Sequence, residues 1–307
     1  MSEIKINAPL PFDDIDTADE FLTVAAVQEI GTVLEKAGFS AGSVTDHPCP
    51  TGRWLDAGGH HAQDPFVMLS MIGAVTTSLR LQTGILVLPY RNPFLVARAV
   101  ATLDRITDGR VTLSVGTGYL KGEYRALGVD FGRRNELTDE YLDAITAALS
   151  GREFAFEGEG FRAYGNRILP GPVQQPRPPI LVGGNSKKAI RRAVERGDGW
   201  NPFLTSVSGA DLVTTRTAGI TGEDDLRRAI SYMREVCEKH GRGTLPEIVL
   251  GGIIKPSEPW DPQKWVDRIG RYRELGVSAV GVNFTGRTRA EWCDTAERFG
   301  TELISQF

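Results

Sequence analysis

The sequence predicts an α/β fold, a (β/α)₈ TIM barrel built as one domain. Short, mostly apolar runs alternate with longer amphipathic stretches from one end of the chain to the other, and eight such pairs can be counted. Repeated strand–helix units favour parallel strands joined by right-handed crossovers. Eight units favour closure into a barrel over an open sheet. Barrels of this kind often exceed the usual domain length, so we predict a single domain over residues 1–307.

The predicted elements alternate strictly along the chain. The predicted strands are Ile4–Ala8, Ser40–Thr45, Leu79–Leu88, Val111–Val115, Pro179–Val182, Gly199–Phe203, Ile248–Ile254 and Ala279–Phe284. The helices that follow them are Phe21–Gly38, Pro65–Thr77, Phe94–Thr107, Asn135–Leu149, Lys187–Arg196, Glu223–His240, Gln263–Leu275 and Arg289–Ser305. Two segments interrupt the alternation. Glu153–Leu169 has the composition of a β-hairpin, and the Ser/Thr/Gly-rich Thr205–Gly222 that of a mobile loop.

Composition excludes several classes of function. The chain is 41% hydrophobic and 24% charged with a formal net charge of −4, so it has no basic surplus for nucleic acid. Its three cysteines are far apart and odd in number, which argues against a disulfide framework or a zinc site. We find no signal-peptide pattern and no apolar run near the roughly 20 residues of a membrane span. We therefore expect a cytoplasmic protein without membrane partners.

The candidate acid–base residues lie in the loops after the strands, where (β/α)₈ barrels place their active sites. Asp46-His47 follows the second predicted strand, and an imidazole there can exchange a proton near neutral pH. The alternative is a capping Asp beside a solvent-facing His. His60-His61 lies in the same loop, but adjacent side chains point apart and no carboxylates follow at ligand spacing, so we predict no metal.

Three glycine-containing segments are candidates for ligand contact. A glycine inside a strand, as in Thr83-Gly84-Ile85, marks a bulge or a close approach. Gly116-Thr117-Gly118-Tyr119 would let the backbone approach a flat ligand. Gly183-Gly184-Asn185-Ser186 precedes a helix, and its free amides favour an anion, although an ordinary N-cap is the alternative. It is neither a dinucleotide fingerprint nor a P-loop.

Other catalytic patterns are weaker. Glu123 and Asp130 lie in the loop after the fourth strand, but the sequence establishes no glycosidase pair. Ser114 lies inside a strand without a G-x-S-x-G elbow, so a serine hydrolase is not expected.

Two blocks of the chain resemble the bacterial luciferase-like superfamily of flavin and deazaflavin oxidoreductases. Arg80–Asp143 contains "NP" after the third strand, a helix ending "LD…DGR", then G-x-G-x-x-x-x-E and "R…DE". The second block reads PPILVGGNSKKAIRRAVERGDGWNPF. The likeness runs over roughly Val24–Gly199 and is weaker beyond. It implies a luciferase-like barrel with insertions at the C-terminal face of the barrel and a flavin-type cofactor, coenzyme F420 by preference and FMN as the alternative.

The resemblance also implies roles for individual residues. Asp46 and His47 match the pair against the cofactor ring, and Gly84-Ile85 matches a bulge that contains a non-prolyl cis peptide in deazaflavin members. Some deazaflavin sugar-phosphate dehydrogenases have a Glu where this chain has Tyr119, which puts sugar-phosphate oxidation in doubt. The proton donor would then be His47, Tyr119 or Glu123. The residues expected to bind the cofactor are Asp46, His47, Thr83, Gly84, Ile85, Thr117, Gly118, Tyr119, Gly183, Gly184, Asn185 and Ser186.

The leading hypothesis is an F420-dependent reductase or dehydrogenase that moves a hydride between the deazaflavin C5 and a small organic substrate. An FMN-dependent monooxygenase with a separate reductase is the second hypothesis. A ligand-binding barrel without catalysis is the third, and the presence of His47 and the GGNS turn disfavours it. Thr51–Asp64 and Thr205–Gly222 are expected to set the substrate. Relatives commonly dimerise through helices two and three, and Phe66–Val75 is apolar nearly all round, so we expect a homodimer.

Overall fold

The computed structural model describes residues 3–206 and 217–307, and its main sheet closes into a parallel barrel. Eight strand positions follow each other around the ring, and β3 pairs with β5 to close it, with Leu81 opposite Val111. This confirms the predicted TIM barrel. The strands are β1 (Lys5–Pro9), β2 (Ala41–Val44), β3 (Arg80–Thr83), β4 (Leu86–Val87), β5 (Val111–Gly116), β6 (Phe154–Gly158), β7 (Phe161–Asn166), β8 (Ile180–Gly183), β9 (Gly199–Asn201), β10 (Glu247–Ile254) and β11 (Ala279–Val282).

Within residues 3–206 and 217–307, the eight predicted helices are all present, and three short ones are added in the loops at the C-terminal face. Side chains cap several of them: Thr23 accepts the amide of Ala26, and Asp64 accepts those of Phe66 and Val67. No helix among the described residues has both the length and the apolarity needed to cross a bilayer. The helices are α1 (Ala18–Phe21), α2 (Val24–Lys36), α3 (Gly52–Asp56), α4 (Pro65–Val75), α5 (Pro93–Ile106), α6 (Lys121–Ala126), α7 (Arg134–Leu149), α8 (Lys187–Arg196), α9 (Glu223–Lys239), α10 (Pro262–Glu274) and α11 (Arg289–Glu302).

The third barrel strand differs from its prediction, because it is interrupted. Leu79–Leu88 was expected as one strand, but β3 and β4 are separated at Gly84-Ile85. The Gly84 amide donates to the Val44 carbonyl at 2.6 Å, which draws the backbone toward β2. A Cβ on Gly84 would lie 3.1 Å from the carbonyl group of Val44, so a side chain would be crowded there. The interruption confirms the predicted irregularity at this glycine.

The peptide bond at that interruption does not have the configuration that the resemblance implies. The cis peptide bonds among residues 3–206 and 217–307 precede Pro170 and Pro176, so the Gly84–Ile85 bond is trans. The expected non-prolyl cis peptide is therefore wrong for this structure. With a trans bond, the Gly84 amide already has its acceptor on β2 and the chain still turns toward the barrel interior.

The two predicted interruptions of the alternation have different outcomes. Glu153–Leu169 contains the antiparallel pair β6–β7, which confirms the hairpin. The ring of Phe161 packs against Phe94 of α5 at 5.2 Å between centroids, so the hairpin covers the outside of the barrel. Thr205–Gly222 includes residues 207–216, which lie outside the described residues. Its described ends meet, because the Thr205 amide donates to the Ile220 carbonyl at 2.8 Å.

The "LD…DGR" block lies at the opposite, N-terminal face of the barrel and is structural. Asp104 is fully buried, and its carboxylate accepts the amides of Val173 and Gln174 at 2.8 and 3.0 Å. The buried Arg110 guanidinium donates to the carbonyls of Thr107, Leu79 and Gly73. These groups form hydrogen bonds with buried backbone polar atoms where helices return to strands. At this face of a (β/α)₈ barrel, such residues stabilise the fold.

Candidate active site

A cavity of about 1150 Å³ opens at the C-terminal ends of the barrel strands. This volume suits a cofactor together with a small substrate, since small-molecule sites usually measure about 300–1,000 Å³. It is open to β1, β2, β3, β5, β8, β9, β10 and β11, each of which contributes lining residues. The predicted site residues that line it are Asp46, His47, Gly84, Ile85, Thr117, Gly118, Tyr119, Gly183, Gly184 and Ser186.

Two residues expected to contact the cofactor do not line the cavity. Thr83 is buried between β3 and β5, where its hydroxyl accepts the Ser114 amide at 2.8 Å and donates to the Ser114 carbonyl at 2.6 Å. Side chains alternate along a strand, and its neighbour Gln82 takes the cavity-facing place. The Asn185 side chain pairs with the backbone of Phe203 at 2.9 and 3.0 Å. Both residues position the backbone next to the cavity.

The three candidate proton donors form one hydrogen-bonded chain. The Nδ1 atom of His47 lies 3.1 Å from a carboxylate oxygen of Glu123, and its Nε2 lies 3.3 Å from the Tyr119 hydroxyl. An ionised carboxylate only accepts hydrogen bonds, so Nδ1 carries hydrogen. In the neutral imidazole Nε2 is then the acceptor, and it faces Tyr119. Burial and the Glu123 charge raise the pKa of Tyr119 to about 12, so its hydroxyl stays protonated near neutral pH.

Glu123 does not line the cavity but lies directly behind His47. It belongs to α6, is fully buried, and accepts hydrogen bonds from the Cys49 amide at 3.2 Å and the Tyr90 hydroxyl at 3.0 Å. Together with His47, the Glu123 carboxylate thus has three hydrogen-bonding partners. Burial and the Glu123 charge also raise the pKa of Tyr90 well above its usual range. Sequence reasoning missed Tyr90, although it lies just before the "NP" of the quoted block.

Asp46 lies at the cavity beside His47, but its oxygens are already engaged. Arg91 donates to both of them at 2.7 and 2.8 Å, and the Val87 amide donates to one at 2.9 Å. A bidentate arginine pair is geometrically specific and fixes both partners. Asp46 therefore holds the end of β4 beside the His47 loop, and its carboxylate is neutralised where it borders the cavity.

Glycines and one isoleucine form an apolar floor at the centre of the cavity. A Cβ on Gly116 or Gly183 would come within 2.7 Å of the Ile85 side chain, so only glycines leave room for it. Gly118 has a φ of +61°, and a Cβ there would lie 2.6 Å from Val87. Ile85 and Val87 therefore lie against the backbone of these glycines, and their side chains give the cavity an apolar surface on which a flat ring could stack.

The predicted anion turn lies at the other end of the cavity. Gly184 has a φ of +105°, which favours glycine, and the Ser186 hydroxyl caps α8 by accepting the Ala189 amide at 3.2 Å. Three cations that sequence reasoning did not single out line the cavity here: Arg134, Lys188 and Arg192. The near-buried Arg192 is oriented by Asp139 at 2.6 Å. The sequence signal for this cluster was Lys187-Lys188 directly after the turn.

The loop expected to set the substrate supplies aromatic groups beside His47. The rings of Trp54 and His60 each lie 4.9 Å from the His47 ring, between centroids, and Tyr119 lies 5.8 Å away. The Nδ1 atom of His60 faces the His61 carbonyl at 3.0 Å. The residues around His47 thus combine proton-exchanging groups with flat apolar surface.

Comparison with known proteins identifies a family to which this chain is similar. A family model described as luciferase-like monooxygenase matches residues 6–255. The uncharacterized protein Rv0940c of Mycobacterium tuberculosis is 31% identical over 270 residues, covering 83% of each chain. An F420-dependent hydroxymycolic acid dehydrogenase of the same species is 32% identical over 189 residues, 60% of this chain and 51% of that protein. An FMNH(2)-dependent dimethylsulfone monooxygenase of Pseudomonas putida is 33% identical over 230 residues, 72% and 61% respectively.

Solved structures show the same fold. The monooxygenase RslO1 from Streptomyces bottropensis aligns over 99% of both chains with a TM-score of 0.77 at 18% identity. An F420-dependent secondary alcohol dehydrogenase in complex with an F420-acetone adduct aligns over 98% of both chains with a TM-score of 0.73 at 17% identity.

Proposed function

The chain belongs to the luciferase-like monooxygenase family, and from that premise we propose that it is an F420-dependent oxidoreductase. The proposed reaction moves a hydride between the deazaflavin C5 and a small organic substrate that carries a hydroxyl or carbonyl group. The observation that carries the proposal is the Tyr119–His47–Glu123 chain, which opens into the same cavity as the glycine floor and the anion turn.

The cavity fits a flavin-type cofactor at both of its ends. The side chains of Ile85 and Val87 lie against Gly116, Gly118 and Gly183 and give the cavity an apolar surface that suits a planar ring. The N-terminus of α8 favours the phosphate. Arg192 would add positive charge there. When bound, F420 would supply the C5 atom that gives or takes the hydride.

The protein's own contribution is the movement of one proton. When a hydroxyl is oxidised, its carbon loses a hydride and its oxygen loses a proton, and Nε2 of His47 is placed to take that proton directly or through the Tyr119 hydroxyl. Glu123 then stabilises the imidazolium across the 3.1 Å contact. In the reverse direction the imidazolium returns the proton to the carbonyl oxygen. General acid–base help of this kind contributes about 10²- to 10⁴-fold.

FMN-dependent monooxygenation is the second candidate, and one observation favours it. The Gly84–Ile85 peptide is trans, whereas the resemblance links a cis peptide at this place to deazaflavin members. Both cofactors share a three-ring core and a ribityl phosphate, so the same floor and turn suit either one.

Binding of the two cofactors tests the proposal directly. The purified protein is titrated with F420 and with FMN, each oxidised and reduced, while absorbance and fluorescence are followed. We expect saturable F420 binding and anaerobic hydride exchange with hydroxyl or carbonyl compounds. Tight binding of reduced FMN with oxygen consumption, and no F420 binding, would replace the first proposal by the second. A folded protein that binds neither cofactor contradicts both.

A further inference from the structure

We propose that a cationic rim around the anion turn binds a carboxylate tail that extends beyond the cofactor phosphate. The rim is defined as Lys121, Arg134, Lys187, Lys188 and Arg191. The ligand class is a phosphodiester that carries several carboxylates, which describes the oligoglutamate extension of F420. This inference rests on the proposed function and deepens it, since FMN ends at its phosphate.

The first part of the rim is organised around Phe131, whose ring borders the cavity. The guanidinium carbon of Arg134 lies 4.1 Å from the ring centroid, and the Lys121 ammonium lies 5.3 Å from it. Cation–π contacts of this kind hold long side chains over an aromatic face. Within the described residues, neither cation has a carboxylate within 4.0 Å.

The second part is organised around Tyr232 of α9. The Lys187 ammonium lies 4.9 Å from its ring centroid, and Arg191 donates to its hydroxyl at 3.0 Å. Lys188, between them in sequence, lines the cavity. For the part of the chain that the structure describes, no ion pair is found for these three cations. Tyr232 is thus a scaffold that holds Lys187 and Arg191 without neutralising them.

Other cations of α8 do form ion pairs with carboxylates. Farther along α8, Arg192 pairs with Asp139 at 2.6 Å and Arg196 pairs with Asp143 at 3.0 Å. The carboxylates of α7 therefore neutralise one face of α8 and leave its first turn and Arg191 charged. The chain as a whole has a net charge of −4, so this cluster beside one end of the cavity is a local excess of positive charge.

The position of the rim indicates what it binds. The turn and Arg192 already provide amides and charge for one phosphate group. Of the rim, Arg134 and Lys188 line the cavity, whereas Lys121, Lys187 and Arg191 lie outside its lining, so the rim extends past the turn and complements charge beyond the phosphate. Carboxylates spaced along a flexible tail can engage several exposed ammonium and guanidinium groups. Exposed pairs of this type are individually weak and strongly screened by salt.

The test compares F420 without glutamates with F420 carrying several glutamates, at low and high salt. Wild-type protein should bind the glutamylated form more tightly at low salt and lose this preference at high salt. In the triple variant Lys187→Met, Lys188→Met and Arg191→Met, the ratio of the two dissociation constants should fall by about tenfold, as expected for about two- to fivefold per exposed pair. Lys36→Met, an exposed cation at the other end of the barrel, is the matched control and should keep the ratio.

The outcomes separate this inference from the proposed function. Equal affinity of wild-type protein for both forms of F420 overturns the tail site and leaves F420 dependence standing. Binding of FMN with no binding of any F420 form overturns the proposed function and the tail site together. If the triple variant melts like wild type and still prefers the glutamylated form, the rim is not the site. Lys121→Met, on the Phe131 side, tests the other part of the rim independently through the same ratio of dissociation constants.

Discussion

His47 is the residue where the environment most clearly defines a chemical role. Its imidazole is nearly buried, one nitrogen is bound to an anionic acceptor and the other faces a neutral phenol beside the cavity. This arrangement orients the ring and selects the tautomer. Glu123 is in turn held by Tyr90 and the Cys49 amide, so the geometry does not depend on one contact.

Replacing His47 tests this role. His47→Ala should lower kcat by about 10²- to 10⁴-fold while cofactor binding is largely retained, because the proton acceptor is removed. His47→Asn should recover part of the loss if hydrogen bonding is the main role. Tyr119→Phe is the matched comparison, since it removes only the outer hydroxyl. Full turnover in His47→Ala would move the acid–base role to Tyr119 or Glu123.

Glu35 is a second residue whose surroundings make a quantitative prediction. Burial alone would raise the pKa of its carboxyl, but hydrogen bonds from Ser78, Leu79 and Thr77 lower the pKa to about 2. A pKa below the unfolded value of 4.5 means that the ionised form stabilises the fold. That stability is fully present above about pH 4.5 and is lost as the pH falls through about 2.

Urea unfolding over a pH series checks this. Glu35→Gln should be less stable than wild type at pH 7, and the difference should shrink as the pH falls toward 2. The exposed Glu238→Gln is the control and should show little difference at any pH. A constant difference for Glu35→Gln between pH 7 and pH 2 would show that its ionisation is not involved.

At the scale of the element, the turn between β8 and α8 has a backbone conformation that suits the binding of a negatively charged group. Gly184 requires a left-handed backbone, Ser186 caps the helix, and the Trp200 indole donates to the Gly184 carbonyl at 2.8 Å. The amides of Gly184 and Asn185 already donate to the Asn201 carbonyl and the Thr217 hydroxyl, so the turn is fixed before any ligand binds, and the amides at the N-terminus of α8 would bind the anion.

Gly184→Asp should weaken cofactor binding by at least about tenfold, because a carboxylate would repel the phosphate and a side chain would strain the turn. Gly184→Ala separates these effects, since it adds the strain without the charge and should cost less affinity. The measurement is the dissociation constant, with thermal melting as a check on folding. Unchanged affinity in a folded Gly184→Asp variant would remove the turn from the cofactor site.

At the scale of the whole molecule, two neighbouring helices of the barrel expose apolar side chains. The α4 helix buries Met68, Leu69 and Ile72 against the core, yet its Val67 is 60% exposed. On the neighbouring α5, Leu95 is 70% exposed. The chain itself covers only one side of a helix that is apolar nearly all round, and we expect a second copy of the chain to cover the other.

Light scattering at micromolar concentration tests the expected homodimer. Wild-type protein should have the mass of two chains, and the double variant Val67→Glu and Leu95→Glu should have the mass of one, because two charges would be buried at the interface. Leu245→Glu, at an exposed leucine elsewhere, is the control and should stay dimeric. A monomeric wild-type protein contradicts the expectation.

The sequence by itself determined the barrel, the hairpin, the glycine break in the third strand and the GGNS turn. These features are local: strand and helix periodicity, a glycine in a strand and a turn before a helix are read within a few residues. The sequence also named His47, Tyr119 and Glu123, but only as alternatives to one another.

Only the tertiary structure decided that those three residues form one hydrogen-bonded chain. His47 and Glu123 are 76 positions apart and meet because barrel closure brings the ends of β2 and β5 to the same face. It also decided that Thr83 and Asn185 turn away from the cavity, and that Tyr90 and Arg192 belong to the site. Alternation along a strand does not tell which of two neighbours, Gln82 or Thr83, faces the cavity, and contacts between strand ends depend on how the whole ring closes.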